Sequence, residues 1–221
     1  MEGYDAWTVA CLALPPGVTW CPSPAGPDYD FGSGPNLFTA TVNGQARTLV
    51  GVGQKSGVYW ALDPDSGAIV WSTLVGPGSA LGGIQWGSAS DGNRVYVAIS
   101  NFNHTQYTLQ PSGQTWNAGS WSALDAASGK ILWQTPDPLA ASDLGMVSTA
   151  NGVVFAGSDD PTGTFYALDA ATGSILWRFA SGGSTVAGPA IVQGRLYWGS
   201  GYNIGTPNNK LYAFCVRDQS C

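Results

Sequence analysis

The 221-residue chain has 31 glycines, ten tryptophans and only 10% charged residues, against about 25% charged in ordinary soluble domains. Its net charge of −6 leaves no basic stripe to neutralise phosphates, which excludes a nucleic-acid partner. No apolar run approaches the roughly 20 residues of a membrane-spanning helix. A single histidine, His104, and four cysteines without metal-ligand spacing argue against a structural zinc site.

Residues 1–35 hold six prolines together with Cys11 and Cys21 and read as an irregular Pro/Gly-rich connector. Met1–Trp7 has neither the basic start nor the apolar core of a secretory leader, so we expect the chain to be part of a longer protein. Strands follow from Asn36 onward. Leu37–Val42, an Asn43-Gly44 turn and Arg47–Gly53 form a hairpin, since Asn-Gly between two apolar-rich runs is a strong hairpin signal. Val58–Leu62 and Ile69–Leu74 complete the unit. Arg94–Ser100, Trp121–Leu124 and Ile131–Gln134 form a second unit, interrupted by an insertion over about 101–119 that contains the sequon Asn103-His104-Thr105. The third unit runs Met146–Thr149, Val153–Gly157, Phe165–Leu168 and Ile175–Phe179. The fourth runs Val186–Val192, Arg195–Gly199 and Lys210–Val216.

Three segments in these units are near-copies: Ala61-Leu-Asp-Pro-Asp-Ser-Gly-Ala-Ile-Val-Trp71, Ala123-Leu-Asp-Ala-Ala-Ser-Gly-Lys-Ile-Leu-Trp133 and Ala167-Leu-Asp-Ala-Ala-Thr-Gly-Ser-Ile-Leu-Trp177. Tyr212-Ala-Phe214 begins the same way and breaks off. The motif starts lie 62, 44 and 46 residues apart, and a period in the mid-forties is that of a four-stranded propeller blade. Within the motif, Ala-Leu ends a strand, the Asp carboxylate accepts from turn N–H groups, Gly takes a positive φ, and Ile-x-Trp starts the next strand. Trp71, Trp133 and Trp177 are expected at equivalent, buried positions between blades. The fold expected is all-β: a partial propeller of about four blades (36–75, 82–135, 143–180 and 184–216), half of a larger ring whose missing blades are its partners. Four cysteines allow three pairings. Local pairs, Cys11–Cys21 and Cys215–Cys221, are the simplest and point to an oxidising compartment, periplasmic or extracellular.

The repeats resemble those of the quinoprotein, pyrroloquinoline quinone (PQQ)-dependent, alcohol dehydrogenase-like propellers, most closely the polyvinyl-alcohol-dehydrogenase-like branch. Beyond the blade signature, the likeness rests on Asp28-Tyr29-Asp30-Phe-Gly, on Lys55-Ser-Gly57 and on Gly82-Gly-Ile-Gln85-Trp86, and it extends from Trp7 to Phe214. It implies that Lys55, Gln85 and Trp86 lie beside PQQ, with the lysine meeting the quinone oxygens, although the family has Asn where Gln85 stands. Lys55 replaces the acid that the corresponding third-blade turn, Gly157–Gly163, carries; the alternative for it is a solvated turn lysine, and for Trp86 a blade-packing ring. Asp28 and Asp30 read as caps of a loop turn rather than active-site acids. The family's catalytic acid and calcium ligands are expected upstream of this chain. No metal ligands are assigned here, and the isolated chain is expected to be inactive. Two functions remain open at this point. One is a portion of a PQQ- and calcium-dependent enzyme oxidising a small-molecule or polymeric alcohol and passing electrons to an external acceptor. The other is a non-catalytic scaffold that binds a protein or glycan partner, a possibility the blade repeat itself leaves open.

Overall fold

A computed structural model describes residues 26–202 and 205–215. The described residues contain strands and no helix. Sheet one is a meander of β1 (Asn36–Val42), β2 (Gln45–Gly53), β3 (Val58–Leu62) and β4 (Ile69–Leu74). Sheet two comprises β5 (Ala89–Ser90), β6 (Arg94–Ile99), β9 (Ser120–Asp125) and β10 (Ile131–Pro136), again antiparallel in chain order. Sheet three holds β11 (Ser148–Ala150), β12 (Val153–Gly157), β13 (Thr164–Asp169) and β14 (Ile175–Ala180). Sheet four has three described strands, β15 (Ala190–Val192), β16 (Arg195–Ser200) and β17 (Lys210–Cys215). The first strands β1, β5, β11 and β15 neighbour one another along the row, as they do around a propeller axis. The insertion is not all loop: β7 (Tyr107–Thr108) and β8 (Thr115–Trp116) form a small hairpin between β6 and β9. The two-residue strand β5 escaped the sequence reading because two residues carry no periodicity.

The hairpin turns follow their residues. Asn43-Gly44, Asn151-Gly152 and Gln193-Gly194 all have positive φ at both positions, the backbone whose twist matches that of antiparallel strands. The motif turns are equally regular. Oδ1 of Asp63, Asp125 and Asp169 accepts the backbone N–H and the side-chain hydroxyl of Ser66, Ser128 and Thr172 respectively. Gly67, Gly129 and Gly173 close the turns at φ 69°, 72° and 74°. Immediately before each motif tryptophan the register slips by one residue. This bulge, three times repeated, turns the indole out of its own sheet.

That rotation builds the interfaces between blades. Trp71 donates through Nε1 to the Ala126 carbonyl of the next sheet at 3.0 Å, and Trp133 donates to the Ala170 carbonyl at 3.1 Å. Each ring also lies where a Cβ on the next motif's glycine, Gly129 or Gly173, would come closer than 3.0 Å. One core joins sheets one and two around Leu49, Tyr59, Trp71, Val97 and Ile99. A second joins sheets two and three around Tyr96, Trp121, Trp133 and Tyr166. The interface of sheets three and four is smaller, centred on Phe165 stacked against Trp198 at 4.0 Å.

The expectation of three equivalent, buried tryptophans holds for two. Trp71 and Trp133 are 8% and 6% exposed, whereas Trp177 is 36% exposed. In the first two cases the carbonyl acceptor follows the motif aspartate by one residue. For Trp177 that position is residue 216, beyond β17 and outside the described residues; its ring meets Phe214 edge-on instead. Leu37 on β1 and Leu211 on β17, at the two ends of the row, are more than two-thirds exposed. These open ends are those of a partial propeller, in which further blades would cover them. Cys11, Cys21 and Cys221 lie outside the described residues, and with them both expected cysteine pairs.

Candidate cofactor site

The turn between β2 and β3, Gln54-Lys55-Ser56-Gly57, is enclosed by backbone. Gly57 adopts φ 84°, donates to the Gln54 carbonyl at 2.9 Å and accepts from Val75 N–H at 2.9 Å. Lys55 O accepts from Ser79 N–H, and Gln54 O accepts from Ile84 N–H, the residue before Gln85. A Cβ on Gly57, Gly78 or Gly83 would strike neighbouring backbone. Glycine at these places is what allows the lysine turn and the Gly82–Trp86 segment to touch.

Aligning the equivalent turns on their glycines corrects the comparison of blades. Gly163 donates to the Asp160 carbonyl as Gly57 does to Gln54. Asp160 Oδ1 accepts the Thr162 hydroxyl as Gln54 Oε1 accepts the Ser56 hydroxyl. The turn acid is therefore replaced by Gln54, and Lys55 stands where the third blade has Pro161. Gln54 escaped the sequence reading because an amide carries no charge signal. Its Nε2 donates to the Tyr29 carbonyl at 2.9 Å and its Oε1 also accepts from Trp60 Nε1, so it ties the 26–34 segment to the turn.

Lys55 is 5% exposed, which overturns the solvated-lysine alternative. Its Nζ donates to Asp28 Oδ1 and to Asp30 Oδ2, both at 2.9 Å, and its backbone N–H donates to the Asp30 carbonyl at 3.0 Å. The Asp28 side chain is fully buried and that of Asp30 is 45% exposed. Burial opposes the ammonium charge, but the hydrogen bonds and charges of Asp30 and Asp28 outweigh it and hold the Lys55 pKa above its ordinary value. The two carboxylates, read from sequence as turn caps, thus face the lysine. Asp28 does so from a left-handed backbone at φ 60°, uncommon for a non-glycine residue and a mark of local constraint.

Gln85 is buried between Gly32 and Gly82, and its Oε1 has no hydrogen-bond partner. Trp86 is half-buried, and Gly87 beyond it forms a parallel bridge with Gly34. The structure therefore brings Lys55, Gln85 and Trp86 into one neighbourhood, with the 28–34 segment between them. The same face carries a different chemistry at the third blade. Burial pushes the Asp159 carboxyl up to about 6, opposed by N–H groups of Leu144 and Thr185. Burial and the adjacent Asp137 raise Asp143 well above the carboxylate range. Among the described residues no three His, Cys, Asp or Glu side chains are grouped to hold a metal ion.

Comparison with known proteins agrees with this architecture. A family described as "Outer membrane protein assembly factor BamB" matches residues 117–218. The polyvinylalcohol dehydrogenase of Sphingopyxis sp. is 34% identical over a 232-residue alignment, covering 89% of this chain and 34% of that protein. A Pseudomonas polyvinylalcohol dehydrogenase is 41% identical over 98 residues, 44% of this chain and 14% of its own length. The chain thus spans about a third or less of the curated relatives it matches. The crystal structure of the Comamonas testosteroni quinohemoprotein alcohol dehydrogenase superposes with a TM-score of 0.69 at 19% identity, over 89% of this chain and 40% of that one. Repeat, strand order and relatives together show a partial β-propeller whose repeats are similar to those of the polyvinyl alcohol dehydrogenases.

Proposed function

We propose that this chain forms one wall of a PQQ site in an alcohol-oxidising propeller, the remaining blades supplying the rest. The carrying observation is the buried ammonium of Lys55 beside Gln85, whose Oε1 lacks a partner. An interior cation is costly to maintain, and here two carboxylates hold it in place, one of them accessible from solvent. The residues fit a flat, anionic ligand. Lys55 would meet its quinone or carboxylate oxygens, the Gln85 amide an in-plane polar edge, and Trp86 a ring face. When bound, PQQ supplies a two-electron acceptor for an alcohol carbon.

What these residues do follows from their chemistry. Lys55, with its raised pKa, stays protonated and stabilises negative charge that develops as the acceptor is reduced. Asp28, buried and 2.9 Å from that ammonium, holds the lysine in place; the acid that takes the alcohol proton we assign to the blades outside this chain. Asp30 can release Lys55 toward a ligand because its own carboxylate is partly hydrated. The fit does not extend to calcium, whose ligands we assign to the blades outside this chain, as we do the acceptor of the electrons. A periplasmic or extracellular location accords with the relatives, and no described helix is long and apolar enough to cross a membrane. The BamB-type match over 117–218 favours a second reading, a scaffold presenting the insertion hairpin to a protein or glycan. Reconstituting the full-length protein with PQQ and calcium and following dye reduction by alcohols separates the two. Alcohol-dependent turnover lost in Lys55→Ala supports the enzyme. A well-folded protein that neither binds PQQ nor turns over leaves the scaffold.

A further inference from the structure

The connection from β10 to β11 passes between two loops and is fastened to both. Asp137 N–H donates to the Gly119 carbonyl at 3.1 Å, and Gly119 N–H donates to the Ala141 carbonyl at 2.7 Å. These bonds tie residues 137–144 to the base of the insertion. Asp159 N–H donates to the Ser142 carbonyl at 3.0 Å, and Leu144 N–H donates to Asp159 Oδ2 at 3.3 Å, so the same strap is tied to the third-blade turn. Two carboxyl groups lie inside it. Asp137 and Asp143 are 0% and 1% exposed, and their side chains are within hydrogen-bonding reach of one another. Asp143 Oδ2 also lies against Gly119, where a Cβ would come within 2.6 Å of it, so the insertion covers one edge of this acid.

The four acids of this region are not equivalent. Asp137 Oδ1 accepts the N–H groups of Leu139 and Ala141, Asp159 those of Leu144 and Thr185, and Asp160 those of Thr162 and Thr164. Asp137 Oδ2 and both oxygens of Asp143 have no such donor. No ion pair among the described residues involves any of the four. Besides these acids, the titratable groups that face Asp143 are two phenols, Tyr107 from β7 and Tyr166 from β13. A buried carboxylate with neither donor nor cation is costly, and two in contact cannot both stay ionised. One proton on Asp143 removes both difficulties, since it neutralises that group and bonds to Asp137 Oδ2. We propose that Asp137 and Asp143 share one proton as a buried carboxyl pair, and that this proton latches the 137–144 strap between the insertion and the third-blade turn. Burial and then the charges of Asp137, Asp159 and Asp160 hold the Asp143 pKa well above its ordinary 3.8. In an opened strap Asp143 returns to that ordinary value and gives up the proton. The latch is therefore fully closed below pH 3.8 and weakens as the pH rises towards the raised value. None of this rests on the role proposed for Lys55.

The test uses the full-length protein and two variants. Asp143→Asn keeps a donor towards Asp137 but has no proton to lose, and Asp137→Asn stands in if the first does not fold, as checked by thermal melting. Infrared difference spectra with isotope-labelled aspartate are expected to show, at about pH 6, the carbonyl stretch of a protonated carboxyl that Asp143→Asn lacks. In Asp137→Asn the same band should disappear at a lower pH than in the parent, because the neighbouring charge is gone. Hydrogen exchange over residues 118–122 and 137–143 is then compared between parent and Asp143→Asn at each pH, which cancels the intrinsic rate. The parent should exchange progressively faster than the variant, by about tenfold between about pH 6 and about pH 8, a range above the value near 6 at which Asp159 titrates. Absence of the protonated-carboxyl band, or an exchange ratio that stays constant with pH, overturns the proposal. A stoichiometric metal ion in the parent that is lost in Asp143→Asn overturns it too, since a cation would then stand in the place of the proton.

Discussion

Three glycines with the same motif position and nearly the same φ should differ sharply when replaced by alanine. Gly67, Gly129 and Gly173 all sit between 69° and 74°, where a Cβ costs about 1–2 kcal/mol in backbone strain. The spaces around them differ. A Cβ on Gly129 meets the Trp71 ring and one on Gly173 meets the Trp133 ring, whereas a Cβ on Gly67 has nothing within 4 Å. Forcing a methyl into a packed ring adds about 1–3 kcal/mol, and displacing the ring strains the adjoining hydrogen bonds from Trp71 to Ala126 and from Thr73 to Gly129 O. We expect Gly67→Ala to cost about 1 kcal/mol in this chain and Gly129→Ala and Gly173→Ala about 3 kcal/mol. Urea denaturation monitored by tryptophan fluorescence measures the difference as a shift in midpoint at constant slope. Within a protein that supplies the preceding blade, Gly67→Ala should become as costly as the others, since a tryptophan then docks on it. Equal losses for all three in the isolated chain would refute the account of blade-to-blade docking.

Trp133→Ala should destabilise by about 3–5 kcal/mol and leave the Ala170 carbonyl with the longer bond from the Tyr96 hydroxyl at 3.4 Å; Trp177→Ala, at a ring already 36% exposed, should cost about half as much, both read by the same denaturation. Asp159 titrates near 6 in the folded chain against 3.8 ordinarily. A raised carboxyl pKa favours folding fully below pH 3.8 and loses that contribution as pH rises through 6, so stability should fall by roughly 2–3 kcal/mol across that window. Buried Asp143 acts in the same direction, and Asp143→Asn should raise the melting temperature at pH 7.5. A melting temperature that climbs with pH across this range in the parent chain would contradict the buried-acid argument. In the full-length protein, Lys55→Ala should lower kcat at least tenfold while PQQ affinity changes less, because the charge it meets develops mainly on reduction. Stopped-flow reduction of bound PQQ checks this, and an equal loss in both terms would make Lys55 a binding group only.

The blade motif was legible because its constraints are local. Asp63-x-x-Ser66-Gly67 closes its turn with atoms no more than four residues apart, and Asn43-Gly44 sets its hairpin by backbone preference alone. Composition and period together determined an all-β repeat fold, and the lysine, glutamine and tryptophan of the candidate site could be named from their motifs. What each side chain meets is another matter, because partners 25 or more residues distant are selected by how sheets stack. The fate of Trp177 depends on a carbonyl past the end of β17, so a motif identical to that of Trp133 has a different environment. The pairing of Lys55 with Asp28 and Asp30 arises because the 26–34 segment is drawn across the inner ends of two blades by Gln54 and by the Gly34–Gly87 bridge. Local turn chemistry is written in adjacent residues. The buried charge cluster exists only once the blades are packed.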